Sequence, residues 1–260
     1  MKSEQLIFNR QTGKHKTHAQ PGTGCPFCDR NHLQNIYEQQ GDIILLKNKY
    51  ATLKDTTQLV LVESKRHNAD ISVYSREEWR IILAFAVKRW RQMAASGKFR
   101  SVILHKNYGR LSGGTQVHPH MQLIGLKRVD AYKAVCDPVY FEGLEIARDQ
   151  EAALNVATHP LMGLVELNVV WNSSRQLEVV ADMIKAAVIF VVTQYYDGLC
   201  NDYNLFFYEV GTHLACKVVP RFVTSPYFVG YQLSQCFDDG GLRTVQAAVA
   251  HLYQEIQNSE

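Results

Sequence analysis

The chain has 260 residues, 46% apolar and 20% charged, with 16 Gly and 7 Pro spread along it, a composition that excludes fibrous and disordered classes. Its 28 basic and 25 acidic residues leave a net charge of +3, too even for the clustered basic face of a duplex-binding protein. No nucleic-acid partner is therefore expected, while a small anionic ligand fits. The longest apolar runs, Ile81–Val87 and Ala186–Val192, fall far short of the roughly 20 residues that span a bilayer, and Met1–His18 holds no apolar leader segment. The expectation is a cytoplasmic protein without a membrane partner.

Residues 1–24 are polar and turn-rich, with Gly13, Pro21, Gly22 and Gly24 breaking any period, and read as a loop or arm. Cys25-Pro-Phe-Cys28 follows. The other four cysteines, at 136, 200, 216 and 236, are scattered, so in a reducing compartment the close pair suits metal or redox chemistry better than a disulfide framework. The redox alternative is the weaker one because no βαβ pattern follows. Asp42–Lys47 and Gln58–Glu63 are short β-rich runs. Ser75-x-x-Glu78 is a capping box opening a helix whose apolar face is Trp79, Ile82, Leu83, Ala86, Trp90 and Met93, with Gly97 as its stop. A strand over Ser101–His105, a Gly-containing turn and a strand over Val117–Leu126 complete the first half.

The pattern then recurs. Ser173-x-x-Gln176 is a second capping box, Leu177–Tyr195 a second apolar helix ended by Gly198, and Tyr203–Tyr208 with His213–Val219 a strand pair around Gly211. Helix end to second strand takes about 20 residues in both halves, which predicts an internal duplication.

The chemistry-bearing segment is Asn107-Tyr-Gly-Arg-Leu-Ser-Gly-Gly-Thr-Gln-Val-His118-Pro-His120-Met-Gln122. Strand side chains alternate faces, so His118, His120 and Gln122 should form one polar row. Pro119 forfeits a ladder hydrogen bond, as suits an edge or bulge approached by a ligand. Gly113 and Gly114 permit backbone conformations in which their amides and that of Thr115 turn towards an anion. His105, one strand earlier, is expected to be dispensable for chemistry.

With its His-Pro-His-x-Gln motif the sequence resembles the histidine-triad superfamily, specifically its galactose-1-phosphate uridylyltransferase branch. Asn48-Lys-Tyr-Ala-Thr-Leu53 is similar to that family's nucleotide-base segment, Ser64-Lys-Arg-His67 to its Ser-Pro-x-His, and Pro220–Tyr231 to the stretch that closes on Val-Gly-Tyr. The resemblance implies an α+β fold of two tandem histidine-triad-like units, with antiparallel sheets and helices packed on one face. The boundaries expected are 1–127 for a catalytic, zinc-bearing unit and 128–260 for a degenerate second unit.

The resemblance further implies Zn2+ bound by Cys25, Cys28, His67 and His118, with His120 as nucleophile and Gln122 as a neutral donor to the phosphoryl oxygens. Asn48, Asn107, Gly113, Gly114 and Thr115 are the implied substrate-binding residues. The expected activity is nucleotidyl transfer between nucleoside diphosphate compounds through a covalent nucleotidyl-histidine. Its partners would be a nucleotide or nucleotide-sugar and a phosphate-bearing acceptor, and the family pattern leaves a homodimer open. Two alternatives stand beside it: a dinucleoside polyphosphate phosphorylase or hydrolase, and a nucleotide-binding sensor without turnover. In the second half the positions of the family's alternating histidines hold Ala215 and Lys217, and its acidic sugar-contacting residue is Gln232, so galactose specificity is not implied.

Overall fold

The computed structural model describes residues 5–17, 24–172, 176–222 and 225–259. In chain order it contains α1 (Arg10–Thr17), β1 (Ile36–Gln40), β2 (Ile43–Lys47), β3 (Thr56–Val62), α2 (Arg76–Ala94), β4 (Ser101–Tyr108) and β5 (His120–Leu126). There follow β6 (Gly143–Asp149), β7 (Ala152–Ala157), β8 (Leu167–Trp171), α3 (Leu177–Thr193), β9 (Tyr203–Val210), β10 (His213–Pro220), α4 (Pro226–Tyr231) and α5 (Asp239–Asn258).

Two differences from the sequence expectation lie near the N-terminus. The arm contains a helix, because Asn9 caps α1 by accepting from the amides of Gln11 and Thr12 at 3.2 and 3.4 Å. An extra strand, β1, pairs with β2. Its sequence, Ile-Tyr-Glu-Gln-Gln, is mostly exposed, as an edge strand can be, and so carries little apolar alternation.

The chain divides into two compact units, one of residues 1–69, 85–106 and 116–133, the other of 70–84, 107–115 and 134–260. In the first, the strand order is β1-β2-β3-β5-β4; in the second it is β6-β7-β8-β10-β9, with antiparallel pairing throughout. The same order occurs twice, each time with a long helix between the third and fourth strands. The fold is thus α+β in two tandem units, and the duplication read from the helix and turn spacing is present in the topology.

In the first unit, β5 lies between β3 and β4, with Val60 and His105 opposite Gln122 and Val62 opposite His120. Side chains alternate, so Leu61, Leu104, Met121 and Leu123 share the other face, where they are buried. The end of α2 closes on that face. Trp90 Nε1 donates to the Val102 carbonyl at 2.8 Å, and a Cβ on Gly125 would lie 2.6 Å from the side chains of Met93 and Phe99, so a larger residue there would push both aside. A buried ion pair, Lys106 Nζ to Glu63 Oε1 at 2.5 Å, completes this layer. The His120 face is lined instead by Ile44, Leu46, Val60 and Val62, covered by Phe27 and Leu33.

The helix caps separate into one found and one lying elsewhere. Ser75 Oγ accepts from the Glu78 amide at 3.1 Å, as the first capping box predicts. Ser173 of the second lies outside the described residues, and Gln176 donates instead to the Asp149 carbonyl at 3.3 Å. In the second unit, α3 packs against β8 and β10 and also against α5. Its two buried charged residues are both answered. Asp182 accepts from Arg76, Arg80 and Gln257, and Lys185 Nζ donates to the carbonyls of Ile71, Ser72 and Tyr74.

Candidate active site and metal centre

The Cys25-Pro-Phe-Cys28 segment folds as a tight knuckle, closed by the Cys28 amide donating to the Cys25 carbonyl at 3.1 Å. Both thiols thereby face one point. His67, on the loop after β3, brings Nδ1 to 3.3 Å from Cys28 Sγ, and His118 Nδ1 lies 3.6 and 3.5 Å from the Cys25 and Cys28 sulfurs. All four ligand atoms lie within 4.8 Å of one another. Around a tetrahedral zinc with ordinary bond lengths, a sulfur and a nitrogen would be roughly 3.5 Å apart, so these side chains fit such an ion as they stand. His118 is fully buried, and its Nε2 is 2.9 Å from the Ser64 carbonyl. Donation of Nε2–H to that oxygen directs the lone pair of Nδ1 at the thiols, the outer partner that metal-bound histidines ordinarily have. Burial lowers the His118 pKa, favouring the neutral ring that a metal needs. A Cys2His2 cluster able to hold a metal ion is therefore built into the first unit.

The expected row of three is only partly a strand feature. β5 begins at His120, and His118 sits on the bend before it, where Pro119 cannot donate to the ladder but its carbonyl accepts from the Glu63 amide at 3.1 Å. His118 thus turns to the knuckle while His120 and Gln122 hold the regular alternation. His120 is buried, with Nδ1 2.8 Å from the His118 carbonyl. Donation there fixes the tautomer and leaves the ring's lone pair on Nε2. Phe27, carried by the knuckle, has its ring centre 5.7 Å from those of both His118 and His120. The Cys2His2 cluster and the His120 ring therefore pack against one aromatic wedge, which the sequence shows only as the residue between Pro26 and Cys28.

Gln122 is half-buried and directly opposite His105 on β4. His105 is half-buried too, and desolvation together with the nearby His120 pushes its pKa down to about 4, so the ring is neutral near pH 7. Asn48 lies on the β2–β3 connection, where its Oδ1 accepts from the Tyr50 amide at 2.8 Å and its own amide donates to the Gln58 carbonyl.

The remaining candidate residues belong to the second unit. Asn107 accepts at Oδ1 from Asn204 Nδ2 at 2.7 Å, which directs its own amide hydrogens elsewhere. Asn204 also donates to the Ser112 carbonyl, and Asp202 Oδ1 accepts from the Leu111 amide at 2.7 Å. Nothing in the motif signals Asn204 or Asp202, which lie about 90 residues further along the chain. Gly113 adopts φ +84°, as a left-handed turn requires, with open space around its Cα. Of the three amides expected to face a ligand, that of Gly114 donates within the loop to Ser112 Oγ at 3.3 Å, while Thr115 is exposed.

In the second unit the position corresponding to the His120 and Gln122 row is occupied by a buried ion pair. Lys217, on the β10 face that bears Ala215, is buried and donates to Glu166 Oε2 and Asn168 Oδ1, both at 2.8 Å, with its ammonium 5.2 Å from the Phe141 ring centre. Desolvation lowers its pKa, and the Glu166 carboxylate opposes that shift. Glu166 in turn accepts from the amides of Leu161 and Met162. This is a closed polar network with its donors and acceptors satisfied.

Residues 8–129 match the N-terminal domain of DUF4931, a domain of unknown function, and residues 133–254 match its C-terminal domain. The chain belongs to the DUF4931 family. A crystal structure of a DUF4931 protein from Bacillus cereus is 37% identical, with 84% of this chain and 99% of that one covered at a TM-score of 0.76. Two further structures share the fold at low identity. A uridylyltransferase is 16% identical over 92% of this chain and 94% of that one, with a TM-score of 0.71. An ADP-glucose phosphorylase from Arabidopsis thaliana with bound ADP-glucose is 13% identical over 94% and 98%, with a TM-score of 0.70. No curated protein matches the chain in sequence. Among the described residues of this DUF4931 protein no helix is long and apolar enough to cross a membrane.

Proposed function

We propose that this DUF4931 protein is a nucleotidyltransferase that passes a nucleoside monophosphate from a nucleoside diphosphate compound to a phosphate-bearing acceptor through His120. The observation that carries the reading is the bond between His120 Nδ1 and the His118 carbonyl, which holds the ring in the tautomer with a nucleophilic Nε2. Nε2 attacks the α-phosphorus, the bond from that phosphorus to the bridging oxygen breaks, and a phosphate-bearing fragment leaves. A phosphate oxygen of the acceptor then attacks the same phosphorus, the N–P bond breaks, and the imidazole is restored. The acceptor class is a sugar phosphate or inorganic phosphate. The fold shared with a uridylyltransferase and with an ADP-glucose phosphorylase supports this chemistry.

Charge that builds on the phosphoryl oxygens needs preorganised donors. In this reading Gln122 Nε2 supplies one such donor, and Gly113, Gly114 and Thr115 are assigned to phosphate on the sequence motif. Asn48 and Asn107 are assigned to nucleotide binding. Zinc is the metal proposed for Cys25, Cys28, His67 and His118, and with four protein ligands it would be a structural crosslink with no open position. Through Phe27, that crosslink sets the pose of His120.

The test is a single-turnover reaction with α-32P-labelled UDP-glucose and ADP-glucose, followed by denaturation and assay for acid-labile, protein-bound label. Label on the wild type, absent from His120→Ala at unchanged zinc content, is the expected result. Equal labelling of His120→Ala would overturn the assignment of the nucleophile, and an unlabelled wild type would overturn the transfer reading.

A further inference from the structure

We propose that His105 is a positioning residue which holds the side chain of Gln122 in the orientation that meets the transferred phosphoryl group. The proposal rests on the transfer reading for its chemical consequence, and on strand register for its geometry. His105 and Gln122 are Cα partners across β4 and β5, and directly opposed residues of an antiparallel pair point to the same face with Cβ atoms about 4.5–5.5 Å apart. The partner on the other side of Gln122 is Val60, an apolar residue.

The diagonal neighbours on that face within the first unit are Gln58, Val62 and Ile103. Gln58 already donates along its own strand, to the Leu53 carbonyl and Thr56 Oγ1, and the other two carry no polar atom. His105 is therefore the polar cross-strand neighbour suited to orient the Gln122 amide. A glutamine has three rotatable side-chain bonds and two chemically opposite ends, so one end must be fixed for the other to be aimed. A neutral imidazole can donate one N–H to Gln122 Oε1, which leaves Nε2–H for a phosphoryl oxygen. Burial and the neighbouring His120 keep the ring neutral, as that exchange requires. Under this proposal His105, which the sequence reading leaves out of the chemistry, takes a definite role that rests on the pairing of β4 and β5.

The test is a double-mutant cycle of His105→Phe, which keeps a ring and removes both nitrogens, with Gln122→Ala, read by single-turnover labelling of His120. With zinc content and far-UV spectrum unchanged, His105→Phe should slow adduct formation at saturating donor by about tenfold while the donor dissociation constant moves little. His105→Phe should add little to the larger loss of Gln122→Ala alone, because His105 acts only through Gln122. His105→Asn, which retains an N–H donor, should recover part of the rate. Multiplicative losses in the cycle, or a wild-type rate in His105→Phe, would overturn the proposal. If the wild type forms no adduct, the transfer reading fails separately, and the Gln122 side-chain amide resonances of 15N-labelled protein decide the contact itself. They should shift in His105→Phe, and unshifted resonances would overturn the pairing.

Discussion

A single backbone carbonyl orients each histidine of the His-Pro-His segment: that of Ser64 leaves the His118 Nδ1 lone pair to the two thiols, and that of His118 holds His120 by Nδ1. Removing one thiolate should therefore empty the metal cluster without altering the tautomer of His120. Metal analysis of Cys28→Ser is expected to give well under one zinc per chain against about one for the wild type, and chelation should lower the melting temperature, as binding at small structural sites contributes about 10–16 kcal/mol of apparent folding energy. His105 supplies the pH dependence. Its folded pKa of about 4 lies below the ordinary value of 6.5, so as pH falls below about 6.5 the unfolded chain takes up a proton that the folded chain refuses. Stability is complete above that value and is lost as pH falls towards 4, by up to about 3 kcal/mol. Urea midpoints at pH 7 and 4.5 should fall further apart in the wild type than in His105→Phe, and an equal spread would contradict the burial of a neutral ring. At Gln122 the expected effects divide: Gln122→Ala slows adduct formation roughly 10²–10³-fold, whereas Gln122→His, which adds a proton donor, raises hydrolysis relative to transfer. The cysteine pair and the two histidines of His-Pro-His are legible because their spacing is local; the packing of Phe27 on both histidine rings and the register that sets His105 opposite Gln122 are made by the fold, and no spacing rule records them.

The β4–β5 connection carries the glycines assigned to phosphate, and its shape is set by Asp202, far along the chain. Gly109 has φ +84°, and a Cβ there would lie 2.0 Å from Asp202 Oδ1, the carboxylate that also accepts from the Leu111 amide. Gly109→Ala is therefore expected to cost about 1–3 kcal/mol from the strained backbone alone. It should also displace Asp202 and weaken binding of a nucleoside diphosphate sugar. Urea denaturation and isothermal titration would measure the two effects, and a variant with wild-type values in both would show the loop to be tolerant. Elements were legible where a local signal existed. Ser75 and Gly97 bounded α2 because capping and a left-handed stop are chemical properties of single residues. Gly211, at φ +59°, likewise marked the β9–β10 hairpin. The strands β6, β7 and β8 carried no such mark. β6 is half-exposed and interrupted by a register shift between Glu145 and Ala147, and the turn to β7 uses Gln150 at φ +51° in place of glycine.

At the scale of the whole molecule, the two units repeat one strand order while the corresponding faces of β5 and β10 have diverged in chemistry. The first carries His120 and Gln122; the second carries Lys217, locked to Glu166 and Asn168 in a network that continues from Asn168 to Asn155 and from Asn155 to the Phe141 carbonyl. Periodicity revealed the repeat because both helices and both turns kept their local signals, but it could not reveal Glu166, whose pairing with Lys217 spans 51 residues. A buried pair of this kind contributes little over apolar packing when intact and costs a great deal when halved, since the remaining charge has no partner. Lys217→Met should accordingly destabilise the protein by about 3–5 kcal/mol, because the Glu166 carboxylate would be left with only the Leu161 and Met162 amides. Adding Glu166→Gln removes the stranded charge and keeps an acceptor for one of the two amides, so the double variant should regain part of the loss. Zinc content should stay at about one per chain in all three proteins, since none of these residues belongs to the Cys25, Cys28, His67 and His118 cluster. Urea denaturation of the wild type, both single variants and the double variant measures the coupling. Additive losses would mean that Lys217 and Glu166 act separately, and the second unit's sheet face would then owe its stability to apolar packing around Phe141 rather than to the ion pair.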